Sequence, residues 1–316
     1  MNIVLLESLN VERPVMDAFK AQLEELGHTF TEYEKTSDVA ALIEEAKDAD
    51  AIMLANMPLP AEVVEAAPRL KYIDVAFTGY DHIPMAVCVA KNIAVSNASG
   101  YATESVAELA IASMILLARK VPALEIAVKD GKTKAGLRGW TLDGRTVGIV
   151  GAGAIGLRTA ELAKAMGARI IAFNRSKVTS PIVDEQVSLE ELMKQSDVVS
   201  VHLPLSDSTR GIVSKELLET MKPTAVLINT ARGPVVDENA LADLLNAGKI
   251  QGAAVDVFAK EPPLALDNPL LHTPNTIVTP HIGFDSEQSM VLRANIVFDN
   301  LLSWLKGEIK NEVKAR

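Results

Sequence analysis

Apolar residues in this chain recur in two alternating patterns. Short runs at 3–6 (IVLL), 51–54 (AIML), 71–75 (KYIDV) and 93–95 (IAV) read as buried strands. Between them, apolar positions three and four apart read as helices. Residues 15–26 form one such helix, stopped by Gly27, and residues 39–47 a second, with Ser37 as the candidate cap. Pro60 opens a short third helix at a position that tolerates proline. A long helix at 103–119 carries VAELAIASMILLA, apolar on nearly every face, which predicts burial all round, between two domains or two subunits. After a loop-rich stretch at 131–144, a second strand–helix series runs from 146 to about 280. An amphipathic helix at 287–306, with Trp304 near its end, is expected to cross back onto the first series. Such alternation specifies parallel sheets flanked by helices.

At 316 residues the chain has room for two domains, and its 48% hydrophobic content without low-complexity stretches fits a globular protein. A net charge of −10 argues against nucleic acid or an anionic membrane as a general partner. The single cysteine, Cys88, excludes a disulfide framework and a cysteine-based zinc site, reads as a small core residue, and fits a reducing compartment. MNIVLLES meets Glu7 too early to resemble a signal peptide, and the longest apolar run, 109–118, is too short to span a bilayer. The expectation is a cytoplasmic protein with no metal.

The first strong chemical signal is GAGAIG at 151–156, directly after the buried-strand run TVGIV and before a helical pattern ending at Gly167. Gly151 allows the tight turn, Gly153 lets backbone approach a pyrophosphate, and Gly156 lets helix and strand pack closely. The helix N-terminus, with Ala154 and Ile155, then directs free amides and a positive dipole end at the phosphates. Alone, such a glycine pattern is weak; strand before, helix after and a further strand at 169–173 make it strong. That next strand ends in Asn174, Arg175 and Ser176 where NAD-binding folds place an acid for the ribose hydroxyls. Without a carboxylate nothing repels a 2′-phosphate, so NADP is favoured and NAD stays possible; Arg175 in isolation also reads as a solvated loop charge.

Three later apolar runs each deliver one polar residue: AVLINTARG ends with Arg232, GAAVDVFAKEP (252–262) carries Glu261, and TIVTPHIG presents His281. Ligands of open parallel sheets bind at the carboxyl ends of strands, so a guanidinium, a carboxylate and an imidazole there suit an anionic substrate and a proton transfer. Singly, each has a bland reading as a surface charge, a solvated pair with Lys260, or a structural histidine. In their order, GAGAIG, SVHLPLSDSTRGI, INTARGPVVDENAL, AAVDVFAKEPP and VTPHIG resemble the D-2-hydroxyacid dehydrogenase family, and VAFTGYDHI and SNASGYATESVAELA extend the resemblance over almost the whole chain.

The resemblance implies two doubly wound α/β domains. A Rossmann cofactor domain at 100–286 would be inserted in a discontinuous flavodoxin-like substrate-binding domain formed by 1–99 and 287–316. It implies hydride transfer between nicotinamide and a 2-hydroxy acid, with His281 as general acid, Glu261 bonding the far ring nitrogen, and Arg232 binding the carboxylate and polarising the ketone. Backbone amides of Thr78 and Gly79 would form a second carboxylate clamp. His202, Leu203 and Pro204 would follow the adenosine and Thr209 the phosphates. Thr230 and Ala231 would pass beneath the nicotinamide, with Asp256 accepting from its carboxamide and Gly283 letting backbone approach its ring.

Substrate choice is expected around 54–59 and 77–80. LANMPL lacks the basic residues of phosphoglycerate-using relatives, no regulatory extension follows Arg316, and Glu261 stands where formate-oxidising relatives have glutamine. GYATESVAE resembles glycerate dehydrogenases and hydroxypyruvate or glyoxylate reductases. Met57, Leu59, Phe77 and Phe284 read either as an apolar pocket for a longer acid or as plain core. Two other readings are a dinucleotide-sensing binding module of corepressor type and an amino-acid dehydrogenase. A homodimer through the long apolar helix is expected.

Overall fold

The computed structural model describes residues 1–261 and 263–314; Pro262, Ala315 and Arg316 lie outside them. The chain divides into two compact units, Met1–Ala102 with Asp285–Arg316, and Thr103–Phe284.

The first unit begins β1 (Asn2–Leu5), α1 (Arg13–Glu25), β2 (Thr29–Glu32), α2 (Val39–Ala46) and β3 (Ala51–Leu54). It continues α3 (Ala61–Glu65), β4 (Tyr72–Val75), α4 (Met85–Ala90) and β5 (Ala94–Asn97). The strands form one parallel sheet in the order β2-β1-β3-β4-β5, a doubly wound arrangement. β3 and β4 are buried along their whole length, which is why they read as unbroken apolar runs. β2 carries no such run, and neither β2 nor α4 figures in the pattern reading; β2 is an edge strand with the burial sequence of a half-covered one. The cap of α2 is Asp38, not Ser37. Asp38 immediately precedes the first helical residue, so its carboxylate reaches the amides of Ala40 at 2.9 Å and Ala41 at 3.4 Å.

The second unit runs α5 (Thr103–Ala118), α6 (Val121–Lys129), β6 (Thr146–Val150), α7 (Ala154–Ala165), β7 (Arg169–Phe173) and β8 (Glu185–Gln186). There follow α8 (Leu189–Gln195), β9 (Val198–Val201), α9 (Lys215–Leu218), β10 (Val226–Asn229), α10 (Glu238–Asn246), β11 (Gly252–Val255) and β12 (Thr276–Val278). All seven strands pair in parallel in the order β12-β11-β10-β9-β6-β7-β8, so the chain order reverses between β6 and β9. Two apolar clusters, one on each side of this sheet, form its core. The expectation that α5 is buried on every face is not met within one chain. Val106, Ala107, Ala110, Met114 and Leu117 are buried, but Leu116 is 38% exposed. α6, which lies between the long helix and the loop expected at 131–144, also exposes Ile126 and Val128.

α11 (Glu287–Leu305) returns to the first unit, where Phe298 stacks on Phe19 at 3.7 Å and Trp304 on Tyr72 at 4.7 Å. A buried polar knot fixes its register. Asn300 donates to Asp74 Oδ1 and to the Asn97 carbonyl, both at 3.1 Å, and Asn311 donates to Asn300 at 2.8 Å. Burial holds the Asp74 carboxyl well above the ordinary carboxylate range, with the Asn300 bond opposing it. A folded-state pKa raised in this way lends stability below the ordinary value of 3.8, lost as pH rises toward the raised one. Asp74→Asn should therefore flatten the loss of stability between pH 5 and 8 and raise stability at pH 8, checked by urea unfolding at both pH values.

Candidate active site

The glycine turn joins β6 to α7. Gly151 has φ +103°, and a Cβ there would lie 2.8 Å from the His202 carbonyl, so both backbone sign and packing demand glycine. A side chain on Gly156 would overlap the Gly151 carbonyl, whereas one on Gly153 would meet nothing within 4 Å. Space is thus kept open at Gly153, in front of the first amides of α7, which have no partners within their helix. A pyrophosphate fits that combination of open space and free amides.

The loop after β7 is pinned from β8. Gln186 donates to the carbonyls of Asn174 at 3.1 Å and Ser176 at 2.9 Å, while Asn174 Oδ1 accepts from Ala152 N at 3.3 Å. Arg175 and Ser176 are exposed, and no ion pair involves Arg175 among the described residues. Gln186 carried no sequence signal, because it lies outside the glycine motif and its strand has only two residues.

Past β9, His202 donates its backbone N–H to Val150 O at 2.8 Å, and its Nε2 lies 2.9 Å from Ser200 Oγ. Loss of water around the ring pulls its pKa down to about 4. Leu203 follows, half-buried beside Gly151, and then Pro204, exposed. Thr209 clasps the turn, donating to the Pro204 carbonyl at 2.6 Å and accepting from Ser206 N at 2.8 Å.

The ends of β10, β11 and β12 are neighbours in the sheet. After β10, the buried Asn229 accepts from Ala231 N at 3.1 Å and donates to the Arg232 carbonyl at 3.1 Å. That two-point grip sets the backbone direction at Arg232, whose Nη1 donates to Ala231 O at 2.8 Å. Gly233 is required next, since a side chain there would overlap the Phe258 backbone. Among the described residues, Thr230 Oγ1 is buried without a hydrogen-bond partner.

After β11, the Asp256 carboxylate accepts from Thr279 Oγ1 at 2.6 Å, Ile282 N at 2.8 Å and Gly283 N at 2.8 Å, and its backbone oxygen accepts from His281 N at 2.8 Å. Asp256 thus grips the turn that carries His281, which sits at φ +58°. A Cβ on Gly283 would lie 3.0 Å from Asp256 Oδ2 and disturb that grip. His281 Nδ1 lies 3.3 Å from Glu261 Oε2, and the Phe284 ring meets the imidazole edge-on at 5.5 Å. Glu238, at the start of α10, accepts from Ala259 N and so steers the segment leading to Glu261. Burial, and secondarily the charge of Glu261, raise its pKa against that hydrogen bond. Asn229 and Glu238 escaped sequence reading because each acts on backbone, which no residue pattern reports.

In the first unit, the segment after β4 holds Thr78 and Gly79. Among the described residues neither amide donates an internal hydrogen bond, while Asn97 Nδ2 donates to the Thr78 carbonyl at 2.7 Å. Thr78 Oγ1 is also buried without a partner. Met57, Leu59 and Phe77 are buried at 2%, 3% and 5% exposure and belong to the unit's core.

A phosphate-binding turn at the sheet's reversal point, with arginine, carboxylate and imidazole at adjacent strand ends, defines a nicotinamide-dinucleotide oxidoreductase. The model of the NAD binding domain of D-isomer specific 2-hydroxyacid dehydrogenases matches residues 111–283. A glyoxylate reductase of Korarchaeum cryptofilum is 39% identical, covering 85% of this chain and 83% of its own. A hydroxypyruvate reductase of Blautia hydrogenotrophica is 36% identical, covering 92% and 93%. Among solved structures, an acyclic imino acid reductase in complex with NADPH and D-Arg superposes with a TM-score of 0.91 at 28% identity, covering 99% of this chain and 100% of its own. The chain belongs to the D-isomer specific 2-hydroxyacid dehydrogenase family.

Two outcomes check this geometry. Because the folded His202 pKa is depressed from 6.5 to about 4, the protein should lose stability as pH falls through that window, by on the order of 2–3 kcal/mol. His202→Asn should remove that part of the acid sensitivity in urea unfolding at pH 7 and 4.5. Asn229→Ala should lower kcat/KM by about 100-fold while far-ultraviolet circular dichroism stays unchanged, the cost of a misaimed Arg232.

Proposed function

We propose that the protein reduces a small 2-oxo acid of the glyoxylate or hydroxypyruvate kind to the D-2-hydroxy acid, reversibly, with NADPH favoured over NADH. The observation that carries this reading is the His281–Glu261 pair at 3.3 Å on a turn held by Asp256. The names of the two relatives agree with that substrate class.

When bound, the reduced nicotinamide supplies the hydride. The 151–156 turn and the start of α7 hold the pyrophosphate, and Thr230 and Ala231 line the nicotinamide side. Asp256, besides gripping the His281 turn, would accept from the carboxamide, and Gly283 would leave room beside the ring. Leu203, Pro204 and Thr209 border the adenosine and phosphate side with His202, which stays neutral at working pH because of its depressed pKa. In the first unit, the amides of Thr78 and Gly79 offer a seat for a substrate carboxylate; in the second, the Arg232 guanidinium offers another. Arg232 also stabilises charge developing on the carbonyl oxygen. Glu261 at Nδ1 fixes the His281 tautomer and ring orientation, so Nε2 delivers the proton to that oxygen.

NADPH preference is supported by Asn174, Arg175 and Ser176, which place a guanidinium and no carboxylate at the end of β7, and by the NADPH-bound neighbour. A homodimer is supported by apolar side chains that one chain leaves exposed on α5 and α6, Leu116, Val121, Ile126 and Val128. The buried free Cys88, its thiol pushed up to about 11 by burial, suits the cytoplasm.

Initial rates of NADPH and NADH oxidation with glyoxylate, hydroxypyruvate and pyruvate test this reading; absence of turnover with all three would sink it. His281→Ala should lower kcat by about 10²–10⁴-fold with dinucleotide affinity retained. Arg175→Ala should raise KM for NADPH about 10- to 100-fold and leave that for NADH nearly unchanged.

A further inference from the structure

We infer that Glu7 sets the permitted charge of the substrate's tail: its buried carboxylate occupies the amides of the 55–57 segment and disfavours 2-oxo acids carrying a second negative charge. This rests on the 2-oxo acid reading above and adds a specificity determinant to it.

The first observation is where the segment lies. β3 and β4 are adjacent, with Leu54 opposite Val75, and Ala76 N donates to Leu54 O at 2.7 Å just beyond them. His82 then ties the two following segments together. Its Nε2 lies 3.0 Å from the Ala55 carbonyl, and its own carbonyl accepts from Leu59 N at 3.1 Å. Residues 55–59 are thus neighbours of the segment that carries the Thr78 and Gly79 amides, the proposed seat of the substrate carboxylate.

The second observation is what those residues hold. Glu7, beyond the end of β1 and 6% exposed, accepts from Ala55 N at 3.1 Å and Met57 N at 2.8 Å, both through Oε2. Its other oxygen accepts from Lys35 Nζ at 2.5 Å. Paired backbone amides at a strand end are a natural seat for an anionic substituent. Here a protein carboxylate fills the seat and leaves negative charge behind it. Lys35 is 56% exposed on its side chain, so solvent screens its compensation. On the far side, Arg293 of α11 is buried, donates to the Leu9 carbonyl at 2.6 Å and is drawn electrostatically toward Glu7. Removing the Glu7 charge would lower the negative charge at the segment while Lys35 and Arg293 keep theirs, Arg293 still facing Asp285.

The pattern of bonds permits a test of charge. Glu7→Gln can keep both amide bonds, because a single oxygen accepts them, while its NH2 group, which cannot accept from the Lys35 ammonium, gives up that ion pair. The wild type should prefer glyoxylate and hydroxypyruvate to oxaloacetate, a dianion. Glu7→Gln should raise the ratio of kcat/KM for oxaloacetate to that for hydroxypyruvate about tenfold, with the gain shrinking at high salt. Lys35→Ala should shift the same ratio about two- to threefold the other way, and it decides the matter if Glu7→Gln does not fold. A purely structural role would lower both substrates together, so an unchanged ratio in folded Glu7→Gln overturns the inference. A ratio that fails to fall in Lys35→Ala does the same. If wild type reduces no 2-oxo acid, the functional reading fails separately. The charge rule is then read by calorimetric titration with oxamate, a monoanion, and tartronate, a dianion. The wild type should bind oxamate in preference, Glu7→Gln should narrow the gap, and an equal gap in both overturns the rule.

Discussion

The carboxylate of Asp256 is the constraint on which the catalytic end of the second unit depends. A histidine at φ +58° occupies a conformation that L-residues with a Cβ adopt at a cost of roughly 1–2 kcal/mol. It persists because Asp256 closes the turn from the inside, through Thr279 Oγ1, Ile282 N and Gly283 N on its carboxylate and His281 N on its carbonyl. The strain aims the imidazole, since an extended residue there would send the ring elsewhere. Glu261 and Phe284 then hold a ring whose position is already set.

The same device recurs at other strand ends. Asn229 grips Ala231 and Arg232, Asn97 grips Thr78, and Gln186 grips Asn174 and Ser176. In each case a side-chain amide or carboxylate replaces the sheet hydrogen bonds that the backbone loses on leaving a strand. Residues that touch ligands can then stand on irregular backbone without becoming mobile. Parallel sheets suit this arrangement, because every strand delivers its irregular segment to the same edge.

Much of this was legible beforehand. Long apolar runs such as AIML, TVGIV and RIIAF mark strands buried on both faces, and all three were found where their pattern put them. The glycine turn was legible because its three glycines answer separate steric demands, two of which a Cβ at Gly151 or Gly156 would violate. β2 was missed because an edge strand of four residues has a single buried apolar position, and α4 because six residues, apolar throughout, are too short to show a helical period. The cap at α2 was misplaced by one residue because Ser37 and Asp38 both suit the role, and only the backbone decides which side chain reaches the amides.

Sequence by itself determined the alternating α/β plan, the phosphate turn and the residue types at the three strand ends, since these follow from local periodicity, glycine sterics and chemical character. Tertiary structure decided how those residues are aimed. The grip of Asp256 on the His281 turn spans 27 residues at its longest, and the bonds from Glu7 to the 55–57 segment span up to 50. A buried carboxylate can be matched to backbone amides that far along the chain only once the sheet has brought their strands together, and no local pattern records which amides those will be.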